Sequence, residues 1–172
     1  MNYGNLDEAE RDRALDAKMY LDFLTFTGRL DKELLSGRVL DFGANVGVST
    51  QALNNFSNNV EAVDISDTVQ EVVRREILPS ERVYQTDGIQ FLREHPDTYD
   101  FVAAFWFGPI QDRQFLKDFY QAACVGVKQE GKILITSDIG SFKHIEEELG
   151  SNGVIKTPGF LPAYLGSKDG LR

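Results

Sequence analysis

Cysteine is nearly absent. Cys124 is the only one in the chain, so no disulfide can form within it, and a reducing cytoplasm is the natural compartment. It lies in the helical pattern QFLKDFYQAACVGV, where it reads as a small buried apolar side chain. Long apolar runs are also missing: FVAAFWFGPI, from Phe101 to Ile110, falls far short of the roughly 20 residues that a membrane-spanning helix needs. The opening MNYGNLDEAERDR lacks the basic-then-apolar layout of a signal peptide. Positive charge is scarce, with 18 basic against 27 acidic residues and a net charge of -9. That balance opposes long-range attraction to phosphate backbones and disfavours a nucleic-acid partner. Neutral or cationic small molecules and proteins fit better. The two histidines, His95 in REHPD and His144 in KHIEEE, have no cysteine or histidine at ligand spacing, so no zinc site is expected. No GxSxG elbow occurs.

What is present is a regular alternation. A hydrophobic fraction of 42% over 172 residues is enough for one domain with a real core. LDEAERDRALDAKMYLDFLTFTG predicts one or two amphipathic helices. After it the sequence reads strand RVLDF, helix STQALNNF, strand VEAVDI, helix SDTVQEVVRREIL, strand RVYQT and helix GIQFLREH. Strand YDFVAAF, helix DRQFLKDFYQAACVGV, strand KILITS and helix SFKHIEEELGS follow. Short β-branched runs alternating with helices predict consecutive βαβ units, hence a mostly parallel sheet of about seven strands with helices on both faces. Ser66 with Asp67, and Ser141, stand where helix N-caps are expected. Arg74 and Arg75 fall on the outer face of a helix, as solvated surface. The segments 154–157 and 163–167 are joined by a Pro/Gly turn with no room for a helix, which predicts an antiparallel hairpin.

In such a sheet ligands sit outside the carboxyl ends of the strands, so the residues just after each strand carry the functional information. After the first come Asp41, Gly43, Asn45 and Gly47; after the second, Asp64; after the third, Asp87 and Gly88; after the fourth, Phe105 and Trp106; after the fifth, Ser137 and Asp138. Glycine at 43 and 47 allows a tight turn and close approach of a ligand. A carboxylate at 64, at a strand end, can accept both hydroxyls of a ribose. A dinucleotide fingerprint needs glycine where Asn45 and Val48 stand, and no P-loop string occurs. Asp41 beside the loop would sit poorly with a pyrophosphate and well with an ammonium group, so the ligand reads as an adenosine with a cationic tail. Other readings stay open: Asp64 and Asp87 as acids before helix starts, the glycines as ordinary turn residues, and Phe105, Trp106 and Phe107 as core aromatics.

DFGANVG followed by VEAVDIS, QTDG, YDFVAAFWF and GKILITSD is similar, in order and spacing, to the class I S-adenosylmethionine-dependent methyltransferases, from Arg38 to Lys168. Asn45 stands where that family usually has glycine. The resemblance implies a Rossmann-like doubly wound α/β domain and S-adenosyl-L-methionine as cofactor, with S-adenosyl-L-homocysteine as product. It implies that Asp41 faces the methionine amino end, that Gly43, Ala44, Asn45 and Gly47 wrap the methionine, and that Asp64 holds the ribose. Ile65 would pack on the adenine, and Asp87 with Gly88 would meet its amino group. Phe105 would line the cofactor pocket, where an aromatic face favours a sulfonium charge.

A methyl group then passes to an acceptor, a small molecule in preference to a protein. Trp106, Phe107, Asp138 and Tyr20 are the candidate acceptor-side residues, with residues 1–35 as a helical lid carrying Tyr3 and Tyr20, and 36–172 as the core. Asp138, Asp112 and His144 are the groups near the right end of the sheet that could serve as a base. The alternative from another class is a methyltransferase-like domain that binds cofactor or protein without catalysis.

Overall fold

A computed structural model describes residues 6–106, 113–137, 139–149, 153–155 and 163–168; of residues 139–142, 144, 154 and 155 it describes the backbone alone. The chain divides into two compact units, residues 1–88 and 89–172.

The first unit opens with α1 (Glu8–Phe26) and α2 (Lys32–Ser36). Asp7 starts α1 with a capping box: its side chain accepts the Glu10 N–H at 2.8 Å, and Glu10 accepts the Asp7 N–H at 3.0 Å. The buried positions Glu10, Ala14, Ala17, Leu21 and Leu24 recur at steps of three and four, so one stripe faces inward. Gly28, at φ +67°, ends the helix by letting the Arg29 N–H turn back to the Leu24 carbonyl at 2.9 Å.

Three parallel strands follow, β1 (Val39–Phe42), β2 (Val60–Asp64) and β3 (Val83–Gln85), in the order β3-β2-β1. All four residues of β1 are buried, as expected of a strand covered on both faces. Between β1 and β2 lies α3 (Val48–Leu53), against which α1 packs.

Where one helix is expected over 66–78, there is a 3-10 turn, Asp67–Val69, and a short α4 (Gln70–Arg74). Ser66 does cap it, accepting the Thr68 N–H at 3.3 Å. The helix stops early because Glu76 adopts φ +55° and the Ile77 N–H turns back to the Val72 carbonyl at 2.9 Å, a helix ending usually built with glycine. Arg75 is not solvated surface either. Its guanidinium pairs with the buried Glu10 carboxylate at 2.7 Å and ties α4 to α1, whereas Arg74 pairs with Glu71 in the open.

In the second unit α5 (Gly88–Glu94), which begins at the boundary, leads to β4 (Tyr99–Ala104), α6 (Arg113–Gly126), β5 (Val127–Thr136), α7 (Ile139–Leu149), β6 (Val154–Ile155) and β7 (Ala163–Ser167). The strand order is β4-β5-β7-β6, with β4 and β5 parallel and β7 antiparallel to both β5 and β6. The expected hairpin is there; its turn lies outside the described residues. β5 starts five positions before the expected Lys132, since Val127 pairs with Tyr99 while Lys132 pairs with Phe101. The intervening residues bulge, and Lys128 there pairs with Asp100 at 2.9 Å. Cys124 is buried in α6, and burial pushes its thiol up to about 11. Arg113 and Lys117 of α6 brace α7 through Glu147 and Glu148, at 2.7 and 2.9 Å. Among the described residues no helix is long and apolar enough to cross a membrane, and no cluster of His, Cys, Asp and Glu is placed to hold a metal ion.

Candidate functional site

Asp41 lies in β1 with no solvent exposure. Both of its donors reach the same oxygen: the Ser49 hydroxyl donates to Oδ2 at 2.7 Å and the Thr50 hydroxyl at 2.6 Å. Oδ1, equally buried, has no hydrogen-bond partner among the described residues. Burial pushes the carboxyl pKa up to about 6; the two hydroxyls pull it down, and the charge of Asp64 adds to the rise.

The loop after β1 is pinned to β2 by its own backbone. The Gly43 and Ala44 N–H groups both donate to the Val63 carbonyl, at 2.9 and 3.2 Å. Gly43, Asn45 and Gly47 all take left-handed dihedrals, with φ of +74°, +48° and +89°. The glycines are small for different reasons. A Cβ on Gly43 would meet nothing within 4 Å, so the backbone there borders open space. On Gly47 it would lie 2.8 Å from Ile77 Cδ1 and 3.0 Å from Val72 Cγ2, so this glycine lets α3 start close against the α4 segment. Gly88 likewise admits the Phe42 ring, which would be 2.5 Å from a Cβ. The sequence pattern groups the three glycines as ligand contacts, and the structure supplies a packing reason for two of them.

Asp64, at the end of β2, is half-buried. One carboxylate oxygen accepts the Asn45 N–H and the other the Ser66 N–H, each at 2.9 Å. A single acid thus fixes both the glycine loop and the turn after β2. Ile65 beside it is 73% exposed, a large apolar side chain left uncovered, and Asp87 is exposed too. The arrangement offers a carboxylate oxygen without a described partner, an open backbone edge, a half-buried acid at a strand end and an apolar plate. Those are the groups that a ligand with an ammonium, a ribose and a flat base would need.

In the second unit, Phe105 is buried and Trp106 half-buried, with ring centroids 5.6 Å apart. Trp106 has φ +47°, rare for a bulky residue, and its N–H donates to the Thr136 hydroxyl at 2.8 Å. Tyr20, in α1, is buried, which raises its phenol pKa. Phe107, Asp138, Asp112 and Tyr3 lie outside the described residues, as does the side chain of His144. Three polar residues escape the sequence reading: Ser49, Thr50 and Thr136. The string VST directly after Gly47 was the available signal for the first two.

No family model matches the sequence, and no curated protein matches it. Solved structures do match. The DhpI–SAH complex aligns over 98% of this chain and 100% of its own, at 16% identity and a TM-score of 0.64. This is the methyltransferase fold. Magnesium protoporphyrin IX methyltransferase (ChlM) from Synechocystis PCC 6803, solved with bound SAM, shares that fold at 17% identity and a TM-score of 0.60, over 95% of this chain and 85% of its own. So does the PH0226 protein from Pyrococcus horikoshii OT3, at 17% and 0.62, over 98% and 81%.

Proposed function

We propose that this chain is an S-adenosylmethionine-dependent methyltransferase acting on a small-molecule acceptor, in the cytoplasm. The observation that carries the reading is the unpartnered Oδ1 of the fully buried Asp41, beside a glycine loop whose edge at Gly43 is open. A buried carboxylate oxygen without a donor is costly, and a ligand ammonium is the donor that repairs it best. Asp64 holds the ribose hydroxyls with the acceptor capacity left after its two amide bonds, and Ile65 packs on the adenine. Two structural neighbours solved with SAM or SAH bound support the same cofactor. The acceptor preference draws on ChlM, a porphyrin methyltransferase by name, and on the net charge of -9, which opposes nucleic acid.

The cofactor brings a methyl group already activated on a sulfonium. The protein's own work is to orient it. Asp41 fixes the amino end, the loop from Gly43 to Gly47 follows the chain between amino end and ribose, and Asp64 sets the sugar. Such positioning supplies on the order of 7 to 11 kcal/mol of the barrier. In the second unit the acceptor side is assigned to Trp106 at the end of β4, whose backbone Thr136 holds. Calorimetric titration of S-adenosylhomocysteine tests the reading. Micromolar binding that Asp64→Ala weakens supports it, and no binding by the wild type overturns it. Binding without turnover across a wide acceptor panel would favour a noncatalytic cofactor-binding module.

A further inference from the structure

We infer that Ser49 and Thr50 are positioning residues that make the site selective for a ligand carrying a free ammonium group. The inference rests on the cofactor reading above and concerns how that site chooses among adenosine compounds. Both hydroxyls donate to Oδ2 of Asp41, at 2.7 and 2.6 Å, and among the described residues no donor reaches Oδ1. Two bonds on one oxygen lock the carboxylate plane and leave the other oxygen with its full acceptor capacity.

The donors are also neutral. α3, with the sequence VSTQAL, carries no charged side chain, so the carboxylate is held without being neutralised. A lysine or arginine in place of either hydroxyl would fix the carboxylate and spend its charge at the same time. Among the described residues no cation is shown acting on Asp41. The nearby charge that acts on Asp41 is the carboxylate of Asp64. Glu61 on β2 and Glu10 on α1 are each held by an arginine, Arg38 and Arg75, at 2.7 Å. Tyr20 on α1 stays protonated through the working range, since burial raises its pKa. A neutral donor from a ligand would satisfy Oδ1 but leave the buried charge; an ammonium does both. The hydroxyls also hold the Asp41 pKa below where burial alone would put it, so that the carboxylate is ionised at neutral pH.

The test compares two probes, S-adenosylhomocysteine and 5′-methylthioadenosine, which keeps the adenosine and sulfur but lacks the amino-acid end. Both are titrated calorimetrically into wild type, Ser49→Ala, Thr50→Val, the double variant and Thr50→Ser, at several pH values, with melting temperatures recorded for each. In the double variant S-adenosylhomocysteine should bind about tenfold more weakly or worse, the size of one lost charge-assisted bond, while 5′-methylthioadenosine stays unchanged. The acid limb of the S-adenosylhomocysteine profile should move to higher pH, because Asp41 loses the donors that favour its ionised form. Thr50→Ser should restore both. Parallel weakening of the two probes, or an unchanged profile in the double variant, overturns the inference while leaving the cofactor reading intact. Should the double variant not fold, Ser49→Ala decides alone, by the same ratio of the two affinities. Failure of the wild type to bind either probe overturns the cofactor reading itself, and this inference with it.

Discussion

Asp64 accepts the backbone N–H of Asn45 at 2.9 Å, across 19 positions of sequence. Its other oxygen takes the Ser66 N–H. Asp64→Ala leaves both amides without their acceptor, so the protein should lose about 1 to 3 kcal/mol of stability together with most of its affinity for S-adenosylhomocysteine. Denaturant melts and calorimetry on the same preparation read the two effects. Full stability in the variant would show that the loop holds its shape without this acid.

Gly43 and Gly47 separate by substitution with alanine. Gly43→Ala strains one left-handed residue but meets open space, so melts should register about 1 to 2 kcal/mol, while cofactor affinity should drop because a methyl group enters the proposed ligand's place. Gly47→Ala adds a collision with Ile77 and Val72 to the strain, and should cost about 2 to 4 kcal/mol. Equal destabilisation of the two variants would contradict this division.

The pH dependence of Asp41 runs in opposite directions for stability and for binding. Its folded pKa of about 6 lies above the ordinary 3.8. Between those values the folded state keeps a proton that the unfolded state has released, so lowering the pH through this window stabilises the ligand-free protein, and raising it through about 6 removes the gain. Relative to Asp41→Asn, the wild type should therefore gain on the order of 2 kcal/mol between pH 8 and pH 4. Cofactor affinity should fall over the same descent, as the carboxylate that meets the ammonium is protonated. A wild type and an Asp41→Asn variant with parallel pH profiles would refute both halves.

Glu10 and Arg75 form a largely buried pair. Removing one partner leaves a charge without compensation, so Arg75→Met should destabilise by roughly 1 to 3 kcal/mol, whereas Arg74→Met, at the exposed neighbour, should change stability by less than about 0.5 kcal/mol. Urea melts of the two variants side by side measure the contrast.

Thr136→Val deprives the Trp106 N–H of its acceptor. Trp106 is the single tryptophan of the chain, so its emission reports on the segment after β4 directly. The emission maximum and acrylamide quenching should change in Thr136→Val and stay near wild type in Thr136→Ser. Identical spectra in the two variants would mean that the hydroxyl does not hold the backbone there.

The strand and helix order was legible because β-branched runs of four to six residues and amphipathic segments leave clear periodicities, and the Pro/Gly turn forced the hairpin. The early end of α4 was not, because Glu76 carries no signal for a left-handed conformation that tertiary contacts impose. Arg75 looked solvated for a similar reason: its partner, Glu10, sits 65 positions away, beyond any local pattern. Around the glycine loop, the placement of Asp41, Gly43, Asn45 and Asp64 at or just after the ends of β1 and β2 was readable from the strand pattern. The hydroxyls of Ser49 and Thr50 were not, since a Ser-Thr pair at a helix start reads first as capping, and only coordinates reveal that both turn back onto the same carboxylate oxygen.

The Glu10–Arg75 pair also carries a consequence for the order of synthesis. Glu10 leaves the ribosome 65 residues ahead of the arginine that neutralises it, a lag of roughly 3 to 13 seconds at ordinary elongation rates. In the first part of that interval the inward stripe of α1, with Leu21 and Leu24, has no α3 to cover it. α1 can therefore pack on α3 before its buried acid is neutralised, and the fold around Glu10 closes only when α4 arrives.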